Sequence, residues 1–296
     1  MPRRFALVGA LLCAATVSAQ DPVRPPFLDA VLPIQKERQE GERESPFEDR
    51  IETDRDAFTP TPRTIGAGRF AIESAYSFID NRAAKETHSF PEMLLRYGVS
   101  DMLELRLGWN YEVGGKGSTV SGAGRFEERL PSEEGTSEAN GLLRESQITY
   151  GFKLRLTGQN GWLPESSAII MGATPTGGEA TNTDIIATYV WGWELPNKWK
   201  VDMAMRYATE EEDKDHFNIW APSAVLRVPV SERSTIHGEY FGSFTRGKEV
   251  DKQQHFLSAG GSYLITPDIE IGVRGGPGLN NDAARWFVNA GIGWRF

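Results

Sequence analysis

The chain has 296 residues, with 41 acidic against 32 basic side chains, a formal net charge of -9 and a mean hydropathy of -0.41. That balance excludes a bundle of apolar spanning helices and argues against a nucleic-acid binder, which would present a basic face. Cys13 is the one cysteine, so the body of the chain has no disulfide staple and no cysteine-ligated metal.

Residues 1–19, MPRRFALVGALLCAATVSA, join a basic start to a short apolar core and a small-residue exit. This is the make-up of a secretory signal peptide, with cleavage expected after Ala19. Cys13 lies in that core behind Leu12, which does not suit a lipoprotein signal. Residues 20–67 are rich in Pro, Glu and Arg and carry no sustained apolar period, so they cannot fold alone. They read as an irregular periplasmic leader with room for a short helix over 27–40. A plug, a contact with a periplasmic partner and a plain tether are the options. A segment packed inside or under a barrel mouth is the preferred one.

From residue 68 a period of two takes over. In MLELRLGWNYE (102–112), Leu103, Leu105, Leu107, Trp109 and Tyr111 share one face against Glu104, Arg106, Gly108, Asn110 and Glu112. The same alternation runs through ITYGFKLRL (148–156), KWKVDMAMRYA (198–208), IEIGVRGG (269–276) and ARWFVNAGIGWRF (284–296). Twelve strands are expected, over 68–80, 89–98, 102–112, 144–156, 166–175, 182–194, 198–208, 216–230, 234–245, 253–265, 268–276 and 284–296. Pro222 should mark a bulge or a break in pairing.

The connections alternate between short turns, such as VSD, PNK and TPD, and longer polar loops, such as EEEDKD and the acidic stretch 113–143. A soluble sandwich has no reason to collect its short turns at one end, whereas a membrane barrel has periplasmic turns and longer external loops. Charges sit mid-strand on the polar face, at Glu73, Arg96, Glu104, Arg106, Lys153, Arg155, Lys200, Asp202, Arg206, Arg227, Glu239, Glu270 and Arg274. These are the candidate lumen-lining residues. Trp109, Tyr111, Trp191, Trp193, Trp199, Tyr207, Trp286 and Trp294 fall near the strand ends of the apolar face, as amphipathic rings at a lipid–water interface do.

The reading is an all-β, transmembrane antiparallel barrel of about twelve strands (68–296) in a bacterial outer membrane. An even number of strands returns both termini to the periplasmic side, and a last strand that pairs with the first fits a stop at Phe296. Trp294 and Phe296 are similar to the closing signal that the barrel-assembly machinery reads. ETDRDAFTPTPRTIGAGRFAIESAYSF (52–78), PEMLLRYGVSDMLELRLGWNY (91–111) and GATPTGG (172–178) resemble the family of outer-membrane transporters named for the meta pathway of phenol degradation. The resemblance spans roughly residues 50–296, with Arg50, Asp54, Arg55 and Asp56 in its pre-strand segment. It implies an outer-membrane barrel and leaves the solute open.

The expected function is passive passage of small molecules, hydrophobic or aromatic ones among them, with outer-membrane lipid as surroundings. The rival is a structural barrel that conducts nothing, its inward charges paired across the interior. An envelope lipid hydrolase is a distant third, for which His237 and His255 lie on neighbouring strands near serines. No enzyme activity and no cofactor are expected. The four histidines lack metal-ligand spacing, EEEDKD (210–215) reads as a solvated loop, and GGKGSTV (114–120) lacks the order of a phosphate loop.

Overall fold

The computed structural model describes residues 45, 47, 49–82, 85–114, 120, 143–176, 183–212, 215–248 and 250–296. The signal segment, the stretch 27–40 and most of the loop 113–143 lie outside them. Twelve strands follow one another: β1 (Phe70–Asp80), β2 (Thr87–Gly98), β3 (Leu103–Gly114), β4 (Leu143–Thr157), β5 (Glu165–Pro175), β6 (Asp184–Glu194), β7 (Lys200–Glu212), β8 (Asp215–Pro229), β9 (Ser234–Arg246), β10 (Gln253–Thr266), β11 (Ile269–Pro277) and β12 (Trp286–Arg295). Each pairs antiparallel with the next, and β12 returns to β1, so the sheet closes. Closure leaves no unpaired edge, the condition for a sheet to stand in lipid. The seam is finished by Phe296, whose N–H donates to the Phe70 carbonyl at 2.7 Å.

The alternation places apolar side chains outside and charges inside, the reverse of a soluble protein. Leu105, Leu107, Tyr189, Leu226, Leu257, Ile271 and Ile292 are exposed on the outer face. Glu73, Arg96, Glu104 and Lys153 are buried on the inner one. An apolar band of this kind is stable only against lipid.

Observed and expected strand ends agree within two residues except at one place. β7 runs on to Glu212, and its ladder pairs Glu210 with Phe217 and Glu212 with Asp215. The acidic run read as a loop is therefore mostly a β7–β8 hairpin, because backbone pairing does not depend on the charge of the side chains. Pro222, with no N–H to donate, is skipped along with Ala221 in the β8–β9 ladder, which resumes in the same register. Pro91 does more. The register shifts around it against both β1 and β3.

Candidate functional site

The interior is occupied by the leader. Residues 51–65, IETDRDAFTPTPRTI, include Pro60 and Pro62, which offer no N–H and suit neither a helix nor an added strand. An irregular backbone buried in a barrel must find its partners elsewhere. Wall carboxylates supply them. Asp54 N–H donates to Glu73 at 2.9 Å, Phe58 and Thr59 N–H donate to Glu239 at 3.0 and 2.7 Å, and Ile65 N–H donates to Glu104 at 2.8 Å.

The path can be followed by height. Asp49 pairs with Arg295 at 3.0 Å and Ile51 N–H donates to the Pro267 carbonyl in the β10–β11 turn, both at the periplasmic rim. Phe58 stacks on Phe241, seven residues up β9 from Ser234, a height of about 18 Å for a tilted strand. By Thr64, which donates to the Asp101 carbonyl at 2.8 Å, the chain is back at the short turns. The leader rises into the barrel, turns at Phe58 and descends into β1.

Ten of the thirteen inward candidates touch it. Asp54 receives Arg106 at 2.7 Å and Lys153 at 2.8 Å, and Lys153 also donates to the carbonyls of Thr61 and Arg63. Arg96 donates to the Glu52 carbonyl at 2.8 Å, Lys200 pairs with Glu52, and Arg227 pairs with Asp56 at 3.0 Å. Thr53 donates to Glu270 at 2.7 Å, and the Arg206 guanidinium lies 4.9 Å from the Phe58 ring centroid. Glu73, Glu104 and Glu239 take the backbone donors named above. The other three pair within the wall: Arg155 with Glu165 at 2.7 Å, Asp202 with Arg227 at 2.5 Å, and Arg274 with Glu239 at 3.4 Å.

Burial pushes the Asp54 carboxyl up, but Lys153, Arg96 and Arg106 outweigh it and hold the group well below the ordinary carboxylate range. Glu52 follows the same rule: burial raises it, and Lys200 and Arg63 bring it down further. Both leader acids are thus held ionised, Asp54 by wall cations and Glu52 by Lys200 of the wall with Arg63 of the leader. Gly293 makes room for the approach: a Cβ there would stand 2.3 Å from the Thr53 methyl. Two cavities of about 40 Å³ flank the leader, each with room for a few waters. One lies among Glu52, Lys200, Asp202 and Glu270; the other lies between Asp54, Arg106 and Arg206 and the apolar Leu94, Ile169 and Met171.

Above Glu239 the interior changes character. Phe58, Phe217, Ile219, Phe241, Phe256 and Phe287 join Ile79, Val120, Ala283 and Ala284 in one buried cluster. Phe241 is sandwiched between Phe58 at 4.4 Å and Phe256 at 4.9 Å. Sequence reasoning did not single these rings out. Their signal was an aromatic on the polar phase of a strand, as with Phe287 between Trp286 and Val288. Glu92, which pairs with Arg55 at 3.4 Å, was likewise missed because it sits at the register shift beside Pro91.

On the outer face, Trp109, Tyr111, Tyr207 and Trp286 lie toward the long-loop end, and Trp191, Trp193, Trp199 and Trp294 toward the short-turn end. The Trp109 indole donates to Ser146 at 2.8 Å, and Trp294 packs on Phe296 with ring centroids 4.4 Å apart. His255 is bonded to the Tyr240 hydroxyl at 2.8 Å and His88 to that of Tyr76 at 2.7 Å, both outside, whereas His237 is buried inside. Among the described residues no cluster of three His, Cys, Asp or Glu has the geometry of a metal site.

The sequence model of the family described as the MetA-pathway of phenol degradation matches residues 53–296. Among solved structures, the chain is similar to an outer membrane channel from Pseudomonas putida F1, with 13% identity, 83% of this chain and 100% of that chain covered, and a TM-score of 0.55. It is also similar to the NanC porin, at 9% identity, 76% and 98% coverage and a TM-score of 0.48. A third likeness is to a loop-deletion mutant of OmpT, an outer membrane protein of Vibrio cholerae, at 10% identity, 77% and 98% coverage and a TM-score of 0.40. No curated protein matches the sequence. At such identities, likeness to a structure is likeness of fold.

Proposed function

The chain belongs to the family described as the MetA-pathway of phenol degradation, and from that premise and the filled lumen we propose a passive outer-membrane channel for small molecules, held shut by its own leader. One observation carries the reading: the inward charges are satisfied mainly by a segment that joins the wall only where β1 begins, at Phe70. A segment tied in this way can withdraw without opening the sheet. Its departure leaves the eight basic and five acidic candidates on the inner wall together with Glu92 and Glu165, an aqueous path lined by both signs of charge.

Likeness to an outer membrane channel supports passage over catalysis. The family description supports aromatic or apolar solutes. In this reading the outer band of Leu, Ile, Trp and Tyr contacts outer-membrane lipid. Trp294 and Phe296 serve the assembly machinery, and residues 1–19 are removed after Ala19. No enzyme activity and no cofactor are part of it.

Planar-bilayer conductance of the refolded protein, with and without residues 20–67, tests the proposal. Rare or no steps in the intact chain and frequent steps in the truncated one are expected. A second reading, a barrel that conducts nothing, is favoured by the wall-to-wall pairs Arg96–Glu73, Arg96–Glu104 and Arg227–Asp202. Silence in the truncated protein, shown to be folded and inserted, would favour it and sink the first.

A further inference from the structure

At its highest point the leader presents a ring and a hydroxyl side by side, in Phe58 and Thr59. The ring lies 4.4 Å from Phe241 with the planes 8° apart, and the Arg206 guanidinium sits over it at 4.9 Å. The Thr59 hydroxyl donates to Glu239 at 2.8 Å, beside the N–H groups of Thr59 and Phe58. Phe241, Phe256, Arg274 and Glu239 belong to the wall and stay when the leader leaves. They then form a flat apolar slot with cations at its edge and, at one end, a buried carboxylate that has lost three donors. Arg274 at 3.4 Å and Ser258 at 3.3 Å remain on Glu239, but the oxygen that took both Thr59 donors is left open, so the slot favours a group that restores a donor there.

We propose that Phe58 and Thr59 occupy the channel's own binding site for a neutral hydroxylated aromatic ring, and that such a solute opens the channel by taking their place. The inference rests on the leader-gated reading above and names the solute class for it. The ring replaces Phe58 against Phe241 under Arg206. The phenolic O–H donates to Glu239 where the Thr59 hydroxyl did. Toluene has the ring and no donor. Benzoate brings a second negative charge to Glu239 and likewise offers no donor. The aromatic cluster faces the long-loop end, the side from which a solute arrives, and the ionic part of the leader lies beyond it.

The test uses the full-length chain in lipid nanodiscs, tritiated phenol in equilibrium dialysis corrected for empty nanodiscs, and bilayer conductance of the same preparations. Phe58→Ala should bind phenol about tenfold more tightly than the unaltered chain, the factor that a stacked aromatic pair is worth. Adding Phe241→Ala should return binding to the unaltered level or below, which separates a vacated slot from a generally loosened leader. Toluene and benzoate should compete poorly, and Glu239→Gln should narrow the gap between phenol and toluene. Phenol should raise the frequency of conductance steps in the full-length protein.

Equal binding by Phe58→Ala and the unaltered chain, or equal competition by benzoate and phenol, overturns the site. Phenol binding with no added steps, in a protein whose truncated form conducts, overturns displacement as the trigger. Silence of the truncated form itself removes the channel reading instead.

Discussion

The two halves of the interior hold the leader by different means. Near the periplasm the contacts are charged and multiple. Asp54 alone gathers Arg106, Lys153 and the Thr61 N–H, and Arg227 reaches both Asp56 and the Thr59 carbonyl. Toward the outside the contact is one ring in a cluster of rings. Charge pairs buried together are poor sources of net stability but costly to break singly, so they fix position. Ring contacts ask only for another flat apolar surface, so they suit exchange with a solute. A plug anchored by the first and tipped by the second is both located and releasable.

The largest effect expected is on the ionic half. Asp54→Ala removes the carboxylate shared by Arg106 and Lys153, leaving Arg106 with Glu104 and Lys153 with the Thr61 and Arg63 carbonyls, and should loosen the leader by ~3 kcal/mol. The readout is proteolysis of the leader in the folded barrel together with conductance of the intact chain. A leader that stays protected would show that the ionic half does not hold it.

Gly293→Leu attacks the same half by volume alone. The new side chain points at Thr53 and Ile51, and overpacking of this kind costs about 1–3 kcal/mol. It should raise step frequency while leaving the barrel's heat-resistant migration unchanged. A closed, protected leader in this variant would mean that β12 is not its seat.

Acid gives a graded version of Asp54→Ala. The docked pKa values of Asp54 and Glu52 lie below the ordinary carboxylate value, so their contribution to docking is fully present above about pH 4. It is lost as pH falls through the depressed range below that. Conductance steps should therefore increase as pH falls below 4. Unchanged conductance down to pH 2 in a folded barrel would show that these two acids do not hold the leader.

Salt should do least. Among the described leader residues Asp49 is the most exposed partner, in the rim pairs Asp49–Arg69 and Asp49–Arg295, and such pairs are worth about 0–1 kcal/mol. Raising the salt to 1 M should change leader protection little. A large change would imply that the buried pairs are wetter than their burial indicates.

The barrel was written in the alternation. A strand that puts Leu103, Leu105, Leu107 and Trp109 on one side and Glu104 and Arg106 on the other has one stable arrangement in lipid, so strand positions followed within two residues. The inward charges were legible for the same reason. Their partners were not. Asp54 lies 52 and 99 residues from Arg106 and Lys153, and no local period links an irregular leader to a wall. Gly291 and Gly293 read only as small, although Gly293 is small because Thr53 passes over it. The hairpin extension over Glu210–Glu212 was hidden because charge marks solvent and says nothing about whether backbone pairing stops.

What the sequence determined by itself is therefore the envelope of the molecule: an exported chain, twelve strands, an apolar outside and a charged inside. These follow from period two and from the solvent each face meets, both local properties. What only the tertiary structure decided is that the charged inside is filled by residues 51–65 and capped by a stack of rings at Phe58 and Phe241. Closing the sheet brings β3, β4, β8 and β9 around one segment at once. The free energy of a buried charge depends on which partners that closure delivers, not on its neighbours in the chain.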